Sequence, residues 1–386
     1  MRSSGLKRRV AVGLVPAAAI AIHLALAAGA PSMAHADEPL KVSGKLVGKV
    51  KDGELKKSKD VSGIGCAGDP GMYPRICLLV DDETQGAQVV ILHKDHLVAG
   101  DFIPLINDIF RDKTDSSKDK PLELDAEGVA YAKGDKDADG TFYVIGSHGR
   151  PRHGKPAEEE ENAARAAATR HVFRIKFESA AINLDTGKIS KAPKIDDDHG
   201  KLAGLIAGDT TLDDFHDKAL EDNGLTIEGV AARGLMLYAG LRAPVLDDGS
   251  AVIVSAPISA LFDHAQGQLT LDRMMLGRDT LGKPRGIRDL VAFGDGFLII
   301  AGPAQDPDSS HKIAPGDYAI YRKDGSRLEK MDLEAYETTK PEETEPVAMK
   351  PEALLVVEQT GQSPTGLILF DGPKEGEPRL VEIRTQ

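Results

Sequence analysis

Short apolar runs of four to eight residues, broken every few positions by Gly, Pro, Asp and Asn, recur from about Ser62 to the C-terminus. Such runs read as strands between tight turns. Five stretches share one layout: a short apolar strand ending in a small residue, a turn, a stronger strand, then a polar loop. They begin "SGIGCAGDPGMYPRICLLV" at Ser62, "AEGVAYAKGDKDADGTFYVIGSHG" at Ala126, "IEGVAARGLMLYAGLRAP" at Ile227, "RDLVAFGDGFLIIAGPA" at Arg288 and "EPVAMKPEALLVVEQT" at Glu345. Aligning Cys66, Ala130, Ala231, Ala292 and Ala348 gives spacings of 64, 101, 61 and 56 residues. One or two further strand-like runs follow each stretch, among them "AQVVIL", "HVFRIKF", "AVIVSA", "YAIYR" and "GLILF". A repeat near 60 residues with three or four strands per unit predicts an all-β chain folded as a β-propeller, in which each blade buries its faces only against its neighbours.

Five blades are read directly, and the 101-residue gap holds either a sixth blade or short helical insertions. Two insertions stand out in it: the Ala/Glu-rich 155–171 and the stretch 200–224, where Thr211 with Asp214 three residues on predicts a helix cap. The strand-like "LKVSGKLVGKV" from Leu40 is expected to close the ring with the last blade. Aromatic residues make up 4% and Trp is absent, which speaks against the tryptophan–aspartate class of propeller repeat.

The first 36 residues break the pattern. Lys7, Arg8 and Arg9 precede an apolar run from Val10 to about Ala30, and "AHA" at 34–36 offers small residues before a cut. This predicts an export signal cleaved near Ala36, leaving one propeller domain over 37–386 in the periplasm or outside the cell. The Arg8–Arg9 pair leaves general or twin-arginine export open. Cleavage removes four basic residues and no acidic one, taking the net charge from −13 to −17. That charge excludes nucleic acid and anionic membrane as partners. It leaves a small ligand or a protein, with no expectation for oligomeric state. In an oxidising compartment Cys66 and Cys77, the chain's two cysteines, are expected to pair across the first two strands of their blade.

Several segments resemble a known family. "LDAEGVAY…FYVIGSHGR…GK", "LTIEGVAARGLMLYAGLRAP", "RGIRDLVAFGDGFLIIAGP" and "PEALLVVEQTG" are similar to the blade motifs of a bacterial family known as a domain of unknown function. That family is itself similar in outline to the esterase-like phytase domains. The resemblance implies a propeller; fold alone confers no activity.

Strands that enter along one line and leave along the next return to the same end of the ring. The starts of the innermost strands therefore bring Glu127, Glu228, Arg288 with Asp289, and Glu345 to one mouth of the central channel. The exits of the second strands bring Asp81, Asp82, Glu83, His148, Arg150, Arg242 and Glu358. In the functional reading Arg150, Arg242 and Arg288 clamp a small anionic ligand. Glu127, Glu228 and Asp289 act as acid and base or hold a cation, and His148 shuttles a proton. The competing reading is structural, with Glu–Arg pairs tying blades together.

In "DKDADG", Asp135, Asp137 and Asp139 occupy positions 1, 3 and 5 of a calcium loop, yet position 12 is Gly146 rather than Glu. Calcium at a looser turn and a plain hairpin tip both remain, and the tip lies at the far end from His148. No GxSxG, HExxH, P-loop or dinucleotide fingerprint is present. The two functions the sequence supports are a binding propeller for a small anionic ligand or partner, and a calcium-assisted phosphoester or ester hydrolase of the phytase-like kind.

Overall fold

Because both faces of a blade are covered by its neighbours, its strands read as continuous apolar runs rather than as alternating ones. Val144 faces one neighbour while Tyr143 and Ile145 face the other, and Leu298 and Ile300 turn away from Ile299 in the same manner. A computed structural model of the chain describes residues 38–51, 54–111, 119–134, 140–152, 154–155, 158–178, 180–306, 312–332, 337–338, 347–360 and 363–385. The expected export signal, the aspartates Asp135, Asp137 and Asp139 of the calcium-like turn, and Glu345 lie outside them.

Among the described residues the strands form five blades. Blade 1 runs outward from Val61–Cys66 through Arg75–Asp81 and Gly86–Leu92 to His96–Pro104. Blade 2 comprises Ala126–Ala132, Thr141–Gly146, His171–Lys176 and Lys194–His199. Blade 3 follows with Thr226–Arg233, Met236–Ala243, Ala251–Pro257 and Thr270–Met274. Blade 4 holds Arg285–Phe293, Gly296–Pro303, Ala319–Asp324 and Arg327–Asp332. In blade 5, Lys350–Thr360, Ser363–Asp371 and Arg379–Glu382 pair antiparallel.

The apolar core is divided by this architecture into one cluster per pair of neighbouring blades. Leu78 and Val89 meet Val129 and Phe173 between blades 1 and 2, and Ile145 meets Ile227 and Val252 between blades 2 and 3. Ile253 packs on Ile287 and Ile299, then Ile300 on Leu354 and Phe370, and Leu355 on Ile64 and Leu79 closes the circle. Glycines on the inner strands permit the approach. A Cβ on Gly229 would lie 2.5 Å from the Leu290 nitrogen, and one on Gly63 would lie 2.7 Å from the Gly128 Cα.

The ring closes differently from the sequence reading. Lys41–Ser43 pairs in parallel with His96–Pro104, so it extends blade 1 and not the last blade. Blade 5 meets blade 1 through the core above and through main-chain bonds such as Gly372 N–H to the Lys59 carbonyl (2.7 Å). The C-terminal Arg384–Thr385 joins the outer edge of blade 4.

Among the described residues the 101-residue gap contains insertions and no sixth blade. The first carries the helix Glu159–Ala168 as expected. In the second, the helix is Lys201–Ala207, upstream of the predicted Thr211 cap. Asp198 supplies the capping carboxylate there, accepting from the N–H groups of Lys201 (3.1 Å) and Leu202 (3.2 Å). Asp209 instead holds Thr211 in a turn. Cys66 and Cys77 stand directly opposite each other in the first hairpin and are joined by a disulfide.

Candidate functional site

Each inner strand is interrupted at the same level by a β-bulge. The ladder skips Ser62 in blade 1, Glu127 in blade 2, Glu228 in blade 3, Arg288 in blade 4 and Glu352 in blade 5. A bulge leaves one residue unpaired and re-aims its side chain. Repeated around the ring, it lines one end of the channel with these five residues. The two residues before each bulge, and the exit of the following strand, add Asp60, Asp82, Asp125, Arg242, Lys350 and Asp371.

Register shows where the fifth unit was misread. "KPEALLVVEQT" is a single inner strand, so Glu352 rather than Glu345 is the counterpart of Glu228, and Asp371 rather than Glu358 marks the strand exit. Glu358 lies toward the opposite end, close enough to Tyr73 to raise its phenol pKa after burial has done so. The signal for Glu352 was present as "PEA", hidden because alignment on a small residue favoured Ala348.

The mouth contains a cavity of about 340 Å³. Glu127, Ser147 and Glu228 form its inner wall, and Arg150, Arg152 and Arg165 stand around it. The insertions complete it, with Arg165 and Thr169 from the first and Leu220 from the second. A smaller space of about 60 Å³ shares Asp82, Glu127 and Glu228 with it and reaches Arg288 and Glu352.

A chain of ion pairs runs through the buried half of the mouth. Arg242 Nη1 donates to Glu228 Oε1 (2.8 Å) and its Nη2 to Asp306 Oδ1 (2.6 Å). Arg288 Nε lies 2.9 Å from Glu228 Oε2 and 2.9 Å from Glu352 Oε2, and its Nη2 bonds Glu352 Oε1. Glu228, Arg242, Arg288 and Glu352 are each at most 6% exposed. Burial alone would raise Asp306, but Arg242, Arg152 and Arg288 hold its carboxyl well below the usual range. Of the arginines expected to clamp an anion, Arg242 and Arg288 thus have their guanidinium groups already taken by carboxylates. Arg150 pairs with the exposed Glu159 (2.6 Å).

Opposite this chain the carboxyls are poorly compensated. Among the described residues Glu127 has no ion-pair partner, and burial, with Glu228, Asp125 and Asp82 nearby, pushes it well above the usual range. Burial and the same neighbourhood raise Asp82, whose Oδ1 is buried without a hydrogen bond. Burial and a hydrogen bond with Glu83 lift Asp60 to about 7. Among the described residues no three His, Cys, Asp or Glu side chains are disposed to hold a metal ion.

His148 and Asp289 stand outside the cavity lining. His148 is 1% exposed, bonds the Gly146 carbonyl through Nδ1 (2.9 Å), and is lowered to about 4 by burial. Asp289 accepts from the N–H groups of Leu290 (2.7 Å) and Leu354 (2.6 Å), linking blades 4 and 5. Burial still raises it to about 8. Sequence reasoning passed over Asp125 and Ser147, although both flank the motifs "AEG" and "HGR". Lys133 and Gly140, which bracket the calcium-like loop, lie at the opposite end of blade 2 from Gly146.

These raised carboxyls set a direction for stability against pH. A carboxyl that holds its proton longer in the folded than in the unfolded chain stabilises the fold fully below about pH 4, and that contribution is lost as pH rises through the folded value. With Asp60 and Glu352 at about 7 and Asp289 at about 8, stability is expected to fall from about pH 4 to pH 8. Thermal unfolding at intervals across that range measures it, and Asp289→Asn is expected to flatten the upper part.

The family model "Protein of unknown function (DUF3616)" matches residues 75–382. The chain belongs to that family. The match to DUF3616 spans blades 2 to 5, the outer three strands of blade 1 and every mouth residue from Asp82 to Asp371, and it begins after the inner strand Val61–Cys66. No curated protein matches the chain. Among solved structures it is similar to a chain of a RAG complex with one melted and one unmelted RSS, at 10% identity and a TM-score of 0.33, covering 88% of this chain and 83% of that one. It is also similar to the exo-β-1,3-galactanase 1,3Gal43A from Clostridium thermocellum, at 10% identity and a TM-score of 0.33, covering 89% and 62%. Likenesses at this level carry no argument about the DUF3616 mouth.

Proposed function

We propose that this DUF3616 protein is an exported binding propeller whose mouth takes a small ligand bearing hydroxyl groups and one anionic group. The observation that carries the reading is the split character of the cavity. Its inner wall presents Glu127 and Asp82, carboxyls that burial pushes toward the protonated form, with the Asp82 Oδ1 left without a hydrogen bond, and such groups favour a ligand whose hydroxyls can both donate and accept. Arg150 and Arg152 hold partly exposed ion pairs with Glu159 and Asp306. Pairs of that kind are worth about 0–1 kcal/mol, so a ligand anion exchanges for them at little cost. Arg242 and Arg288 stay with their buried carboxylates and serve as scaffold. The disulfide supports export, since such bonds persist in oxidising compartments.

A calcium-assisted hydrolase of the phytase-like kind has less support, because the described carboxylates offer no three-ligand arrangement. Calorimetric titration of the mature chain with gluconate, glucose 6-phosphate and glucose tests the proposal. The two anions are expected to bind, glucose far more weakly, and the Arg150→Ala, Arg152→Ala double variant, which removes two ionic contacts, to lose about tenfold in affinity, equivalent to about 1.4 kcal/mol. Equal binding of all three, or of none at millimolar concentration, would discard it.

A further inference from the structure

Directly before the bulge of blade 2, the Ser147 Oγ donates to the Asp125 Oδ2 and accepts from the Gly149 N–H (3.1 Å). A hydroxyl has one proton and two lone pairs. The proton is therefore aimed at a carboxylate, one lone pair is fixed by the main chain, and the other is left for the cavity that Ser147 and Asp125 both line. This pair is not needed to hold the strands in register, because the Ser147 N–H already bonds the Asp125 carbonyl (2.8 Å). The chemistry at these two positions is specific to blade 2: blade 1 holds Asp60 and Asp82 there, and blade 5 an ion pair between Lys350 and Asp371 (2.6 Å), so only blade 2 sets a hydroxyl against a carboxylate among these three.

The backbone around the pair is unusual in the same sense. Asp125 has φ 52° and His148 has φ 56°, left-handed conformations that glycine adopts at less cost. Non-glycine residues held there cluster at functional sites. Asp125 is half-buried at the cavity wall, and its carboxyl is raised by desolvation against the pull of Ser147 and of Arg152 and Arg165. A base moved from the ordinary carboxylate range toward neutrality is better matched to taking a hydroxyl proton.

We infer that Ser147 and Asp125 form a nucleophile–base dyad that hydrolyses carboxylic esters of small polar acids at the mouth. The inference rests on the mouth admitting a small ligand. Ser147 Oγ bonds to the ester carbonyl carbon while Asp125 takes its proton. The tetrahedral oxygen gains its charge beside the guanidinium groups of the cavity, Arg152 and Arg165, which already act on Asp125. Collapse breaks the bond to the alcohol, which leaves with the proton from Asp125. Water, deprotonated by Asp125, then attacks the acyl carbon, frees the acid and restores the Ser147 hydroxyl. Ester and water give acid and alcohol, with no other reactant.

The test is incubation of the full chain with a fluorophosphonate probe, followed by peptide mass mapping, alongside hydrolysis of 4-nitrophenyl acetate and butyrate. The adduct is expected on Ser147. Both Ser147→Ala and Asp125→Asn are expected to lower kcat/KM by about a hundredfold or more. The wild-type adduct decides the matter should either variant fail to fold. Hydrolysis at the buffer rate with no adduct on Ser147, or hydrolysis undiminished in Ser147→Ala, overturns the dyad. Ligand binding is measured separately by titration of the wild-type chain, so loss of the dyad and loss of the binding reading give different results.

Discussion

Glu228→Ala is expected to lower the stability of the fold by about 3–5 kcal/mol, read as a drop in the midpoint of urea unfolding with the slope unchanged. Glu228 is 4% exposed and accepts from Arg242 of its own blade (2.8 Å) while contacting Arg288 of blade 4 (2.9 Å). Removing it leaves two desolvated guanidinium groups facing each other with less negative charge between them, and uncompensated buried charge is the expensive outcome. Asp306 offers the control. It also pairs with Arg242, but its side chain is 46% exposed, so water can replace it. Asp306→Ala is expected to cost about 1 kcal/mol or less. Equal losses from the two substitutions would show that burial does not govern this chain of ion pairs.

The second large effect concerns the first hairpin. Cys66 and Cys77 are 11 residues apart, and both are buried in the cluster that joins blade 1 to blade 5. Closing a loop of that length restricts the unfolded chain by an amount worth about 3 kcal/mol. The Cys66→Ala, Cys77→Ala double variant is therefore expected to lose about 3 kcal/mol in urea unfolding, part of it from the vacated core volume. The wild-type chain unfolded with and without reductant separates the two contributions, since reduction keeps the side chains. A loss below about 1 kcal/mol by either route would mean the bridge constrains little that the blade does not already hold.

Both predictions draw on features that differ in how far the sequence revealed them. The cysteine pairing followed from the expected oxidising compartment and from spacing, because two antiparallel strands joined by a short turn bring such positions face to face. The propeller followed from repetition, because blades that bury both faces need continuous apolar runs at a regular interval. The helix at Glu159–Ala168 was visible in its composition, whereas the helix at Lys201–Ala207 was missed because its cap, Asp198, sits at the end of a strand. Blade 5 was displaced because its inner strand carries Pro351, which reads as a turn, and because the bulge hides one residue from the two-residue alternation.

The sequence alone therefore determined the all-β repeat, the ring of inner strands, the disulfide, and the convergence of Glu127, Glu228, Arg288 and Arg242 on one mouth, since each depends on order and period along the chain. Only the tertiary structure decided how those charges are used. Whether an arginine is spent or available depends on which carboxylate reaches it from elsewhere in the chain, and Glu352 and Asp306 reach Arg288 and Arg242 across 64 residues each. The pairing of Ser147 with Asp125 has the same origin. A bulge and two left-handed residues aim one hydroxyl at one carboxylate, and no spacing in a linear sequence records that direction.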